Sequence, residues 1–235
     1  MENSSIITIK RLVKRFPVGK AEFTALNEIS ASFGTGEFAG LVGPSGSGKT
    51  TLLNIIGSLD SPSEGDVSVL GMNVSSLSHK QSAKLRNSHI GFIFQTYNLL
   101  PVYTVYENVE FALLLQKLSG PERRKAVMNA LEWVGLTDKI KSRPSMLSGG
   151  ECQRVAIARS MVKRPEIVLA DEPTANLDSK NSHHILQTMK NLNRELKTTF
   201  IFATHDEKVM KYLDRIISLE DGKIVKDELI PNSKS

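Results

Sequence analysis

Gly43-Pro44-Ser45-Gly46-Ser47-Gly48-Lys49-Thr50-Thr51 follows an apolar run, Phe38 to Val42, and precedes an aliphatic one, Leu52 to Ile56. The order is strand, glycine-rich loop, helix, with the pattern G-x-x-x-x-G-K-[ST] on the loop. Glycines let successive backbone N–H groups turn inward around phosphate oxygens, and the new helix adds its positive dipole end. Lys49 is then placed to reach the β- and γ-phosphates, and the Thr50 hydroxyl to ligate Mg²⁺. A flexible Gly/Ser turn is the plainer reading, but the strand before and the helix after favour a nucleotide site.

The chain has 235 residues, enough for one domain with a substantial core and an inserted subdomain. Hydrophobic content of 40% and charged content of 23% are ordinary for a soluble protein. No apolar run approaches the ~20 residues that span a bilayer, and Met1-Glu2-Asn3-Ser4-Ser5 does not read as a signal sequence. A soluble, cytoplasmic chain is expected. A single cysteine, Cys152, excludes an internal disulfide and a cysteine-cluster zinc site. Net charge of +5 raises nucleic acid as a partner. Lys and Arg are scattered among 25 acids with no long basic run, so a solvated surface is the reading and no nucleic acid is expected.

Ile6 to Leu12 and Phe23 to Phe33 read as an antiparallel strand pair, since no helical crossover fits between them. Phe16 falls in the expected connecting segment, where its ring stacks on a base or packs in the core. Asp60 to Gly65 reads as a loop, Asp66 to Leu70 as a short strand, and Ser78 to Asn87 as a polar helix. The apolar strand Ile90 to Phe94 delivers Gln95 at its end, where α/β proteins place ligand contacts. Leu99, Leu100, Pro101, Val102 and Tyr103 then crowd a loop, as a covered core or a partner surface requires.

From Thr104 to about Arg164 the spacing turns helical. Val105, Val109, Ala112, Leu113 and Gln116 form one face, and Arg123 to Val134 a second helix behind Pro121. Leu147-Ser148-Gly149-Gly150-Glu151 leads into a helix from Cys152 to Lys163. Ser148 and Glu151 have the spacing of a capping box. That marks a helix start, and its two glycines also make a second anion-binding candidate.

Ile167 to Ala170 reads as a buried strand ending in two adjacent acids, Asp171 and Glu172. Beside a phosphate loop the first acid supports Mg²⁺ and the second activates water; the alternative is a pair of exposed turn acids. Ser179 to Leu196 is a long helix. Thr198 to Ala203 is another strand, bringing His205 to the same expected edge as Gln95 and Asp171. Arg215 to Glu220, a turn at Asp221-Gly222, a short strand Lys223 to Val225 and a polar tail close the chain.

Together these motifs resemble the ATP-binding cassette of ABC transporters over nearly the whole chain. Gly43 to Thr50 matches Walker A, Gln95 the Q-loop, and Leu147 to Glu151 the signature. Ile167 to Glu172 matches Walker B, Asn176-Leu177-Asp178 the D-loop, His205 the switch histidine, and Phe16 the adenine-stacking aromatic. The resemblance implies ATP and Mg²⁺, with Thr50, Gln95 and Asp171 at the metal and Glu172, His205 and Gln95 catalytic. It implies an α/β phosphate-loop NTPase core with an antiparallel β subdomain and a helical subdomain at about 97–160, all one nucleotide-binding domain over 1–235. It also implies a head-to-tail homodimer on ATP, in which Ser148-Gly149-Gly150 of one copy clamp the nucleotide held by Lys49 of the other. An integral membrane permease partner follows, with the chain peripheral on the inner face of the membrane.

Leu85-Arg86-Asn87, Asn98 to Pro101, Glu107-Asn108-Val109, Arg143-Pro144-Ser145 and Leu147 to Arg159 resemble the lipoprotein-releasing (LolD-type) and macrolide-exporting (MacB-type) branch. Lipoprotein release or export is the expected work; a cell-division regulator of similar build is the alternative. Genome-maintenance ATPases of the superfamily insert long coiled coils or zinc modules, and translation factors carry two cassettes; this chain has neither pattern. Glu151 stands where most cassettes carry Gln. Pointed at a γ-phosphate from ~6 Å, its charge is repelled by roughly 2–3 kcal/mol at an effective dielectric of ~20. Turned back on Ser148, it completes a cap worth ~1 kcal/mol. A structural role is therefore expected for Glu151.

Overall fold

A computed structural model describes residues 5–230; the expectations for the first four residues and the last five of the tail lie outside them. The chain opens with β1 (Ser5–Val18) and β2 (Ala21–Gly34), paired antiparallel from Ser5↔Gly34 to Val18↔Ala21. Both are longer than expected. Phe16 therefore lies within a strand opposite Phe23, and the connection is the turn at Gly19-Lys20. Pro17 is tolerated because β1 is flanked on its other side only as far as Val13, so beyond that point it is an edge.

There follow β3 (Phe38–Val42), α1 (Lys49–Ile56), β4 (Glu64–Val69), β5 (Met72–Asn73), α2 (His79–His89) and β6 (Ile90–Ile93). Gly65, read as loop, is in β4. A Cβ there would sit 2.2 Å from the Arg11 carbonyl, where β1 is irregular, so only glycine allows the strands to approach. The next helices are α3 (Val105–Glu110), α4 (Gly120–Trp133) and α5 (Gly149–Met161). Then come β7 (Ile167–Asp171), α6 (Ser179–Leu196), β8 (Thr199–Thr204), α7 (Glu207–Met210), β9 (Arg215–Glu220) and β10 (Lys223–Leu229).

Two sheets result, β2-β1-β4-β5 antiparallel, and β10-β9-β3-β8-β7-β6 with its five inner and outer strands β9 to β6 parallel. Side chains alternate between two cores along the parallel strands. Phe38, Val168, Phe200 and Phe202 face the helices α3 to α6. Ala39, Leu41, Leu169 and Ile201 face α1 and the antiparallel sheet. Both faces are covered, which explains the continuous apolar runs.

The helical stretch after Thr104 is more broken than its spacing suggested. Val105, Val109 and Leu113 are buried as one face, but α3 is a short helix continued by a 3₁₀ turn at Phe111–Leu113. Gln116 lies beyond it. The crowded loop before α3 is folded around fully buried Asn108, whose side chain accepts from Leu100 N–H and donates to the carbonyls of Leu100, Tyr103 and Thr104. Leu99 packs on the core, whereas Val102 is 70% exposed, so the loop serves core and surface at once.

Candidate active site

Parallel pairing puts the C-terminal ends of β3, β8, β7 and β6 on one edge, with Val42 beside Thr204, Ala203 beside Asp171, and Ala170 beside Ile93. The loop after β3 turns at Gly46 and Gly48, both at positive φ, and Gly48 caps α1. A Cβ on Gly48 would meet the Ala25 carbonyl at 2.7 Å, so the loop must carry glycine there to lie against β2. Lys49 is buried and its Nζ donates to the carbonyls of Gly43 and Pro44 at 2.7 and 2.8 Å, which aims the ammonium back across the loop. Thr50 Oγ1 donates to Asp171 Oδ1 at 3.2 Å.

At the end of β7 the Glu172 backbone takes φ 44°, a left-handed conformation that costs a non-glycine residue ~1–2 kcal/mol. Strain of this kind collects at functional sites. The carboxylate is fixed from β8: Thr204 Oγ1 donates to Oε2 at 3.1 Å and His205 Nδ1 to Oε1 at 2.6 Å. One cleft of about 440 Å³ gathers Phe16, Ser45 to Thr51, Gln95, Asp171, Glu172 and His205.

The sequence match covers residues 26–175 and is to the family described as ABC transporter. The macrolide export ATP-binding/permease protein MacB of Burkholderia pseudomallei is 43% identical over 97% of this chain, which spans only 35% of that protein. The ABC transporter ATP-binding protein YvrO of Bacillus subtilis is 44% identical over 95% of this chain and 97% of its own length. A solved dimeric structure of the cassette MJ0796, a protein of Methanocaldococcus jannaschii, superposes with a TM-score of 0.89 at 41% identity, covering 96% of this chain and 99% of that one. The chain belongs to the ABC transporter family. The expected family and fold class are thereby borne out, and the chain is an ATPase of that family. MJ0796 has also been solved in a post-hydrolysis state bound to ADP and Pi.

Within this ABC cassette the remaining site residues divide. Gly43 and Pro44 stand behind the cleft and contribute their carbonyls to Lys49. The signature residues Leu147 to Glu151 and the D-loop residues Asn176 to Asp178 do not line it. Ser148 and Gly149 are exposed at the start of α5. Ser148 N–H and Oγ both donate to Glu151 Oε2, at 2.8 and 2.9 Å, so the carboxylate is turned back as its charge predicts. Asn176 Nδ2 donates to the Gln95 carbonyl, Leu177 packs on the core, and Asp178 caps α6 through Asn181 N–H.

Phe23 and Ala25 also line the cleft, on the same face of β2, and sequence reasoning passed over them. Period-two spacing from Phe23, across the hairpin from Phe16, was the signal available.

The donor set fits a magnesium nucleotide. Among the described residues no three His, Cys, Asp or Glu side chains are grouped so as to hold a metal ion, and Mg²⁺ typically takes one or two carboxylates together with phosphate oxygens and water. Burial holds the Asp171 carboxyl above its usual range; the Thr50 hydroxyl opposes this, Glu172 adds to it and Lys49 opposes it. Burial likewise pushes the Lys49 ammonium down, against the pull of Glu172 and Asp171.

A second groove, of about 450 Å³, lies across α2, β6 and α5. Its apolar lining includes Leu59, Phe92, Phe94 and Phe111, and its cations are Arg86, Arg159 and Lys163. Each cation donates to backbone carbonyls: Arg86 to Ser58, Arg159 to Tyr97 and Asn98, Lys163 to Arg86. Burial pushes Lys163 down to about 8.

Proposed function

We propose that this chain is the motor of a membrane export complex, a single nucleotide-binding domain with its helical part at about 97–160. It closes head to tail with a second copy on ATP and opens on hydrolysis. The observation that carries this is the separation of two phosphate-binding parts. The cleft supplies Ser45 to Thr51, while the start of α5, exposed at Ser148 and Gly149 and buried at Gly150, lies away from it. Each copy thus holds half of the donors around a γ-phosphate, and closure completes them while excluding water.

Glu172 is the base that draws the proton from the attacking water, His205 orients Glu172 and meets the γ-phosphate, and Gln95 senses it. Phe16 stacks on the adenine. Thr50, Asp171 and Gln95 would hold Mg²⁺, which when bound neutralises charge on the β- and γ-phosphates. Asn176 to Asp178 lie at the contact between copies. The second groove takes a short segment of the permease, at the inner face of the membrane. Its apolar floor, and three cations that among the described residues have no carboxylate partner, suit an amphipathic segment carrying an acid. The macrolide-export relatives favour export over the other work of this branch. Among the described residues no helix is long and apolar enough to cross a membrane, so the membrane part belongs to another segment or chain.

A general base contributes ~10²–10⁴-fold. Glu172→Gln is expected to keep ATP binding, lose turnover by about that factor and accumulate an ATP-bound dimer on size exclusion. Turnover close to the parent's would remove Glu172 from the role.

A further inference from the structure

Gln153, in the first turns of α5, is fully buried, and its Nε2 donates to the Pro173 carbonyl across 2.6 Å. Its Oε1 has no hydrogen-bond partner among the described residues. A buried amide with one end orphaned is a poor choice for filling space, because the unpaired acceptor carries its full desolvation cost. Leucine or methionine would occupy the same volume without that cost. What the amide supplies is its grip on Pro173.

Pro173 follows Glu172, whose left-handed backbone at φ 44° persists only where neighbours over-determine it. Glu172 N–H donates to the Ala203 carbonyl at 2.9 Å, tying the turn to β8. Ala175 N–H donates to the Glu172 carbonyl at 3.2 Å, closing the turn on itself. Gln153 holds the next carbonyl from a different element, α5. The start of α5 is itself in close contact with its surroundings: a Cβ on Gly150 would lie 2.7 Å from Asn181 Oδ1, at the head of α6.

We infer that Gln153 is a positioning residue for Glu172, through which the start of α5 sets the aim of that carboxylate. The inference rests on Glu172 acting as the base and on Ser148 to Gly150 meeting the nucleotide of a second copy. Under that reading α5 touches one nucleotide at its tip and, at Gln153, holds the carbonyl of the residue that follows the base of the other site. A short, buried hydrogen bond transmits a displacement of α5 to the turn that carries Glu172. Assembly of one site therefore aligns the base of the other.

The test measures steady-state ATPase and ATP-driven dimerisation of the purified chain with Gln153→Leu, and with Glu172→Gln in parallel. Gln153→Leu is expected to lower kcat at least tenfold, leave KM for ATP within threefold, and accumulate the ATP-bound dimer. A residue that only supports the fold would lose the dimer together with the turnover. A kcat within threefold of the parent, or a fall in kcat with loss of the dimer, overturns the inference. Should Gln153→Leu not fold, Gln153→Met is read by the same criteria; if neither folds, Gln153 is a residue of the core and the inference fails. Normal turnover in Glu172→Gln removes the base assignment and this inference with it. Normal turnover in Gln153→Leu alone removes only the inference.

Discussion

Burial pushes the Lys49 ammonium down and the Asp171 carboxyl up, so near neutral pH each carries a charge the folded cleft disfavours. For Asp171, a folded value above the unfolded one gives stability that is present in acid and lost as pH rises through the raised value. For Lys49, a folded value below the unfolded one gives stability that is present above the usual 10.5 and lost as pH falls through the lowered value. The nucleotide-free chain thus holds two groups awaiting opposite charge. Asp171→Asn is expected to raise the melting temperature of the nucleotide-free chain at pH 7 and to abolish the extra stabilisation that Mg²⁺ adds to ATP. A melting temperature at or below the parent's would contradict this. At the same scale the phosphate-loop residues were legible because their chemistry is local in sequence. Phe23, Thr204 and Gln153 were not, since each acquires its role from a residue distant in the chain: Phe16, Glu172 and Pro173.

Four helices begin with a completed capping box, Ser78/Gln81, Thr104/Glu107, Ser119/Glu122 and Ser148/Glu151. This chemistry sets the boundaries that periodicity misplaced. The helix expected from Arg123 begins at Gly120, because Ser119 and Glu122 close the box around Pro121 in its first turn. Hydrogen bonds from Thr104, Ser119 and Ser148 hold Glu107, Glu122 and Glu151 below their usual value of 4.5. Depressed carboxylates contribute stability above the unfolded value that is lost as pH falls through the folded one. The Ser78/Gln81 box shows that glutamine makes the same bonds without a proton to gain. A triple Glu→Gln variant at 107, 122 and 151 is therefore expected to lose less melting temperature between pH 5 and pH 3 than the parent, a range set by the usual carboxylate value of 4.5. Glu151→Gln alone is expected to leave ATP-driven dimerisation within a few-fold. Equal acid sensitivity, or a tenfold gain in dimer affinity, would contradict the role given to the boxes. The strands were legible in kind but not in length, because β1 and β10 are extended by pairing that local composition does not encode.

Across the whole molecule, the order of the parallel sheet brings the ends of β3, β8 and β7 together and leaves the start of α5 outside the cleft. The order of motifs along the chain was readable, and the resemblance already implied phosphate donors shared between two copies; that the start of α5 stands outside the cleft required the fold. The proposed permease and its cargo leave little mark, since the cleft's side chains line a phosphate loop and the groove reports only shape and charge. The central claim is that each nucleotide lies between the cleft of one copy and the α5 start of another. Mixing two inactive chains tests it most directly, one Lys49→Ala and the other Ser148→Arg. A mixed dimer puts both lesions in one site and leaves the other intact, so ATPase is expected to return on mixing, at a rate lowered by the alignment its base no longer receives from the disabled site, while each variant alone stays inactive. If the mixture remains as inactive as its components, although the two chains are shown to associate, the nucleotide is not shared between copies and the account is wrong.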